Sequence, residues 1–568
     1  MKLTKLSLAL TTLLSAGFSA ESMALDLYVD NKTQQIFAEP GHGRTKLGSF
    51  ERVEDSAAKA SQAAAQQAEI DKIKEDLALK NNELKALDEH VNDPTEGKLH
   101  MDEKGVRFES KDGNFDMQLT GRLQVDAMTT VDQHPTAALG NNTTNSIADG
   151  ANIRRARLGI EGAYYKDFGY KFEYDFTRGN GLSGGVTDAF MSYKGYDPLT
   201  VTIGQYKEFF SLEEATSNRF LTFLERNMAT NAFSDNGNPY KVGLGLAYAQ
   251  PRYTTQIGFQ TESVGNGAPT FDSSSTNGNW NANRNNGSGD QAWGVTGRLT
   301  GMPWFEDKTK FLHVGMSASD RYVDSNLVAN GTPGTNGTGL RFASTLDGNV
   351  DRTLILDTGP LSGYIPNSAR YNSSTACTSQ SSNQVTGCTF RKVGSYGRFG
   401  GETAFVYGPF SAQAEYIETI VSGTGYSSNT LNGAYGYMSY FLTGESRAYK
   451  AKTGAWDRIK PLHNFTTHGG LGAWELAVGY DHLDLNNGVI QGGRASSGKI
   501  GLNWYPNSRV RLMANFIHYL DVNTANVNNA AQTSGSNAAS TATASDARSH
   551  SFNGTHPDFF EIRGQVDF

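Results

Sequence analysis

Cysteine (2 residues) and proline (15) are scarce in this 568-residue chain, and beyond its first residues no stretch approaches the ~18 consecutive apolar residues that a membrane-spanning helix needs. The missing apolar run excludes spanning by helices and leaves spanning by strands open. Charge of one sign is also missing: charged residues make up 19%, the net charge is -8, and no continuous basic block gives a nucleic-acid footprint. Enzyme spacings are absent as well. His463 and His468 lack the carboxylate of a zincin helix, and no nucleophile elbow or glycine-rich phosphate loop follows a plausible parallel strand. His482 stands beside Asp481 and near Asp484, a grouping that reads as wall or loop residues rather than a hydrolytic site; neither metal nor cofactor is expected. Cys377 and Cys388 have no flanking histidines to complete a metal site, so in an exported chain the pair is expected to close a disulfide that restrains a loop.

Export itself is read from the first residues. Lys2 and Lys5 precede a mostly apolar segment from Leu6 to Phe18, and Ser22-Met23-Ala24 supplies small residues where a signal peptidase reads them, so residues 1–24 are expected to be a signal peptide. Residues 55–93 then form the one convincing helix. Ile70, Leu77, Leu84 and Val91 fall on one heptad position, Ile73, Lys80 and Leu87 on the other, Ala63 extends the seam upstream and Pro94 ends it. So narrow an apolar stripe on a charged helix predicts a short periplasmic coiled coil within residues 25–98, and hence an oligomer. A helix lying on its own barrel is the alternative.

After this helix the apolar period changes to two. Glycine (63), phenylalanine (30) and tyrosine (25) are abundant. Phe115, Met117, Leu119, Leu123 and Val125 alternate with Asp116, Gln118, Thr120, Arg122 and Gln124, and the pattern recurs to the final strand, where Phe560, Ile562, Val566 and Phe568 alternate with Glu561, Arg563, Gln565 and Asp567. Segments of about nine to eleven residues suit tilted membrane strands better than the shorter strands of a soluble sandwich. Sixteen are found, near 115–128, 152–165, 168–177, 186–195, 199–206, 240–249, 252–261, 291–300, 309–319, 396–408, 410–420, 433–443, 471–483, 495–505, 508–520 and 558–568. The expected fold is therefore all-β, a transmembrane antiparallel β-barrel over residues 105–568 in the outer membrane of a Gram-negative bacterium.

Connections are expected to alternate in length. Tyr196-Asp197-Pro198, Gln250-Pro251, Gly408-Pro409 and Pro506-Asn507 make tight turns on the periplasmic side, whereas 207–239, 262–290, 320–395, 444–470 and 521–557 read as long outer loops. The first of these is unusually apolar, with Phe209, Phe210, Leu212, Phe220, Leu221, Phe223 and Leu224, and is expected to fold back against the inner wall. In the second strand Arg155, Arg157 and Glu161 take the lumen parity. Arg154 takes the lipid parity, which costs about 2–4 kcal/mol at midplane, so it is expected at a strand end or on a bulge.

Three segments carry a family resemblance: Ile153-Arg154-Arg155-Ala156-Arg157-Leu158-Gly159, the run GQYKEFFSLEEATSNRFLTFLERN from Gly204 to Asn227, and TGESRAYKAKTGAWDRIKP from Thr443 to Pro461. Together they resemble the phosphate-selective porin O and P family, in that family's order, over roughly residue 105 to the C-terminus. The resemblance implies a trimeric sixteen-stranded porin that conducts anions through a pore narrowed by an infolded loop. Carried over by position, it implies that Arg154 and Arg155 lie near the constriction, that Lys207 is the central pore lysine, that Arg219 is a basic residue of the infolded loop, and that Lys171 joins them. The vestibular arginine series of phosphate-specific members has only Arg284 and Arg298 to match between residues 262 and 300. Phe568, ending an alternating strand, looks like the C-terminal signal read by the barrel-assembly machinery.

The residues add chemistry of their own. Lys207, Arg219 and Arg226 on the infolded loop could supply the charge-assisted hydrogen bonds that an anion needs as it loses water; Glu208, Glu213, Glu214 and Glu225 on the same loop could equally pair with them and hold the loop together. A second cationic segment, with Arg447, Lys450, Lys452, Arg458 and Lys460 against Glu445 and Asp457, would raise the local anion concentration if it lines the mouth. Passive diffusion of small inorganic anions is thus expected. A sugar-specific or general diffusion porin with a periplasmic coiled coil is the alternative, and long loops leave a non-conducting adhesin as a third class.

Overall fold

A computed structural model describes residues 25–50, 53–91, 97–102, 105–132, 146–177, 185–235, 239–261, 293–323, most of 340–366, 378–379, 385–386, 388–524 and 552–568. The signal peptide and Cys377, and with it the disulfide, lie outside the described residues. The chain divides into two units, Met1–Glu96 and Gly97–Phe568.

In the first unit Leu25–Asp30 is the centre of a three-stranded antiparallel sheet, flanked by Ile36–Phe37 and Arg44–Phe50, that the sequence pattern did not announce. The helix α1 spans Val53–Val91. Its ion pairs, such as Lys80 with Glu83 at 2.8 Å, are exposed and stabilise it little. Ile70, Ile73, Leu77 and Leu84 are all exposed in the single chain.

The second unit is a closed antiparallel ring of sixteen strands: β1 (Phe115–Asp132), β2 (Gly150–Tyr164), β3 (Phe168–Asp175), β4 (Gly185–Tyr196), β5 (Leu199–Lys207), β6 (Tyr240–Ala249), β7 (Tyr253–Gln260), β8 (Gly294–Asp307), β9 (Lys310–Tyr322), β10 (Cys388–Tyr407), β11 (Phe410–Thr424), β12 (Tyr426–Phe441), β13 (Ala473–Asn487), β14 (Ile490–Tyr505), β15 (Val510–Asn523) and β16 (Asp558–Asp567). Each overlaps one of the sixteen alternating segments. Closure runs from Arg122 opposite Asp567 to Asp132 opposite Asp558, and Gly121 exchanges two backbone hydrogen bonds with Phe568, at 2.9 and 3.1 Å. A hairpin of Lys98–Asp102 and Gly105–Glu109 covers the start of β1.

Alternation decides which side chains meet lipid. On β15 Leu512, Phe516 and Leu520 are exposed while Arg511, Asn515 and Tyr519 are buried, and on β16 Phe560, Ile562 and Val566 oppose buried Glu561, Arg563 and Gln565. Apolar outside and polar inside is the arrangement lipid imposes on a barrel. The main apolar core is therefore inside the lumen. Phe210, Met228 and Phe233 from the β5–β6 connection join Leu340, Phe342, Leu346, Ile355, Leu356 and Leu361 from the β9–β10 connection, against wall residues such as Ile417, Leu483 and Ile517.

Two expectations about connections need correction. The β9–β10 connection, read as an outer surface loop, has its described part 340–361 packed into the lumen, because its six large apolar residues cannot stay in water. The β12–β13 connection, 442–472, emerges at the same end as the two- to four-residue turns after β2, β4, β6, β8, β10 and β14, while β11–β12 and β13–β14 are joined tightly at the other end. It is thus a periplasmic-side segment, not an outer loop.

Candidate functional site

The β5–β6 connection crosses the lumen, and its entry depends on one glycine. Ile203 faces outward, and at Gly204 the backbone takes φ 126°, where a Cβ would come within 2.4 Å of the Ala189 carbonyl oxygen. This conformation turns Gln205 inward, to donate to the carbonyls of Val186 and Thr187 at 2.8 and 3.0 Å, and carries Lys207 to the lumen side. Beyond it Ser211 caps the short turn Leu212–Ala215 through Glu214 N at 3.2 Å, and Asn227 caps the next through Thr230 N at 2.8 Å. Phe210, Leu212, Leu221, Leu224 and Met228 are completely or almost completely buried, so the loop folds inward as its apolar content predicts.

Wall side chains hold it there. Arg511 donates to the Leu221 carbonyl at 2.5 Å, Asn503 to that of Thr222 at 3.0 Å, Arg398 to that of Phe233 at 3.0 Å, and Arg563 to that of Leu224. Asp481 accepts from Met228 N at 2.7 Å. Glu208 is enclosed by Arg321 at 2.5 Å and Arg398 at 3.1 Å; burial opposes its charge, but the two guanidiniums hold its carboxyl well below the usual range. Glu213, beside Gln413 and Tyr435, goes the other way, raised by burial against the pull of Arg226 and Arg447.

The six cations singled out on β2, β3 and the β5–β6 connection, Arg154, Arg155, Lys171, Lys207, Arg219 and Arg226, lie on the lumen side, and each has a partner. Arg154 is the extra residue of a β-bulge, since Gln124 opposes Arg155 while Val125 opposes Ile153; this turns it off the lipid face. Arg154 and Arg155 both meet Glu225, at 3.0 and 3.3 Å. Burial raises the Glu225 carboxyl, but Arg154, Arg155 and Arg563 outweigh it and hold the group well below its ordinary range. Lys207 Nζ lies 2.6 Å from Glu214 Oε1, and Arg226 lies 3.1 Å from the same carboxylate. Lys171 pairs with Asp188 at 3.0 Å. Glu173 gathers Arg157 at 2.9 Å, Arg122 at 3.5 Å and Arg219 at 3.7 Å.

The members of these pairs are not equally exposed. Lys207 is 21% exposed against 1% for Glu214, Arg219 16% against 3% for Glu173, and Lys171 28% against 13% for Asp188. In these three pairs the cation is the more exposed partner, with its carboxylate behind it; at Arg155 and Glu225 the order is reversed, 3% against 11%. Arg226, expected to face the passage, is instead buried: it donates to the carbonyls of Glu213 and Thr216 at 3.2 and 3.0 Å and braces the loop from within.

The second cationic segment also divides. Arg447 is buried over the Trp456 ring at 3.8 Å and donates to the Tyr437 hydroxyl at 2.9 Å, so it lines no mouth. Arg458 forks onto Asp567, at 2.7 and 2.6 Å, while Lys450, Lys452 and Lys460 stay exposed at the periplasmic end. Arg298 is taken up by Glu402 at 2.5 Å and the Gly454 carbonyl at 2.7 Å; Arg284 lies outside the described residues. Asp481 faces Lys499 inside the barrel at 2.8 Å while His482 bonds Ser496 at 2.8 Å, so they do not form a hydrolytic pair. Sequence reasoning passed over Arg321, Arg398 and Arg511. Their lumen parity was readable, but parity does not reveal a partner on a distant loop.

A closed antiparallel barrel of sixteen strands, apolar outside and narrowed by its own β5–β6 connection, defines an outer-membrane porin of a Gram-negative cell, a channel and not an enzyme. The family model for phosphate-selective porin O and P matches residues 118–362 and 361–542, and the chain belongs to that family. Porin O of Pseudomonas aeruginosa is 28% identical over 430 residues, covering 73% of this chain and 85% of the relative. An uncharacterized protein of Caulobacter vibrioides is 26% identical over 410 residues, covering 72% and 69%. Among solved structures, OmpT of Vibrio cholerae superposes with a TM-score of 0.42 at 9% identity over 80% of this chain and 98% of its own.

Proposed function

We propose that the barrel lets small inorganic anions, with phosphate, pyrophosphate and polyphosphate as the family's candidates, diffuse passively through the constriction beside Lys171, Lys207 and Arg219. The carrying observation is the exposure asymmetry: at each of these three positions the cation is the more exposed partner and its carboxylate lies behind it. A partly dehydrated anion then meets donors first, and the carboxylates keep those donors charged and oriented. Arg154, 19% exposed, borders the same passage, and Arg155 and Arg226 support it from behind. The lumen aromatics Phe223, Tyr435, Tyr437 and Trp456 are buried and offer no track for sugar rings, which weighs against a sugar-specific channel.

The discriminating experiment is blockade of chloride current across a planar bilayer. Inorganic phosphate is expected to block and neutral sugars are not; the reverse result would select the sugar-porin reading. The proposal extends to assembly. Removal of residues 1–24, pairing of the α1 seams as a periplasmic coiled coil, and barrel-to-barrel contacts would give a homotrimer that persists in mild detergent, with the segment before Pro94 contributing but not essential. A monomer by light scattering would contradict this.

A further inference from the structure

Glu225 occupies a cage suited to a small oxyanion. Arg154 meets it as a parallel fork, Nε to Oε1 and Nη2 to Oε2, both at 3.0 Å. Arg155 approaches both oxygens at 3.3 and 3.4 Å, and Arg563 donates to Oε1 at 2.5 Å from the last strand. Asp126 accepts from Arg563 at 2.7 and 2.6 Å, and Gln124 Oε1 accepts from Arg155 at 2.9 Å. Three guanidiniums thus face two carboxylates in direct contact, with the buried Glu561 carboxyl within electrostatic reach of Glu225, Asp126 and Arg563. Forked donors of this kind fit the oxygens of a carboxylate and of a phosphate alike.

Two comparisons separate this cage from a simple strut. Glu208 also sits between two arginines, but all three side chains there are sealed at 5% exposure or less, whereas in the Glu225 cage Arg154 and Glu225 are 19% and 11% exposed, with only Arg155 and Arg563 sealed behind them at 3% and 1%. The loop also does not hang on the Glu225 carboxylate. On either side of it Arg511, Asn503 and Arg563 hold the carbonyls of Leu221, Thr222 and Leu224, and Asp481 holds Met228 N.

The geometry points to Glu225 as a built-in competitor, whose carboxylate fills an oxyanion site formed by Arg154, Arg155 and Arg563 and thereby sets how strongly the constriction takes a solute oxyanion. This inference rests on the anion-passage reading above. It assigns the arginine pair a ligand supplied by the chain itself, which a solute must displace.

The test uses the full chain in planar bilayers, with inorganic phosphate as the blocker of chloride current. Glu225→Gln keeps the shape and removes the charge. Loss of one charge-assisted competitor, with the cage left intact, is expected to lower the half-blocking phosphate concentration about tenfold, with chloride over potassium preference retained or raised. Adding Arg154→Gln to that variant is expected to cancel the gain, and Glu208→Gln alone is expected to leave phosphate block unchanged. Unchanged or weaker block in Glu225→Gln overturns the inference. So does a wider, less anion-preferring pore or failure to assemble, since either means that the carboxylate only holds the loop. A wild-type channel without anion preference would sink the reading beneath it; an anion-preferring wild type with an unaltered Glu225→Gln variant would sink this inference alone.

Discussion

Reversing the charge at Lys207 tests the constriction at its most exposed loop cation. The ammonium is 2.6 Å from Glu214 Oε1 and 2.9 Å from the Glu214 carbonyl, and it is the lumen-facing member of that pair. For an anion passing at about 5 Å, one unit charge is worth about 0.8 kcal/mol at the dielectric of water and about 3.3 kcal/mol at an effective value of ~20. Lys207→Glu turns attraction into repulsion, so the swing is about 1.7 to 6.6 kcal/mol, and even the low end lowers anion over cation permeability more than tenfold. A new carboxylate would also face Glu214 and push the loop. Lys207→Gln separates the effects, because Glu214 keeps Arg226 at 3.1 Å. It should lower the ratio by about fourfold, half the free-energy change of the low end. The assay is the zero-current potential in a salt gradient, with assembly checked in detergent. Unchanged potentials for both variants in correctly assembled barrels would refute placement of Lys207 in the passage.

Other outcomes follow from the same geometry. Arg219→Glu, which sets a third carboxylate beside Glu173 and Asp567, should shift the zero-current potential in the same direction as Lys207→Glu. Lys450→Glu, at the exposed periplasmic end, should alter conductance mainly at low ionic strength, where the Debye length is long; an equal effect in concentrated salt would place Lys450 in the narrow passage instead. The Glu225 carboxyl is depressed in the folded chain, so its pairing contributes fully above the unfolded carboxylate value and is lost only as pH falls through the lower folded one. Phosphate block should therefore show no Glu225-dependent transition between pH 7 and about 4, with the profiles of the wild type and Glu225→Gln running parallel over that range. A Glu225-dependent transition near pH 6, absent from Glu225→Gln, would contradict the pairing.

The strands were legible because lipid outside and water inside impose a period of two, and each of the sixteen strands of the ring overlaps a segment where that period was read. Their outer extensions were not: β10 begins at Cys388 rather than near residue 396, because beyond the bilayer the apolar side of the alternation is no longer required. The sheet of residues 25–50 was invisible for a related reason, as its short strands carry no sustained alternation. At the site, the apolar run from Phe209 to Leu224 announced infolding, and the parity clash at Arg154 announced a strand end or a bulge, of which the bulge is present. Parity could not say that Arg226 and Arg447 would be consumed by groups 10 to 13 residues away in the same connection or the adjoining strand, or that Arg398 and Arg511 would be struts, whose loop partners lie 165 and 290 residues away in sequence. Length alone misplaced the 442–472 segment, which breaks the usual rule that long connections are outside.

The central claim is that carboxylates buried behind Lys171, Lys207 and Arg219 leave a positive face toward the passage despite a chain charge of -8. The zero-current potential of the wild-type channel in a potassium chloride gradient tests it most directly. A potential of the sign set by chloride, growing as ionic strength falls, is the predicted result; a potential near zero or of the sign set by potassium would contradict it.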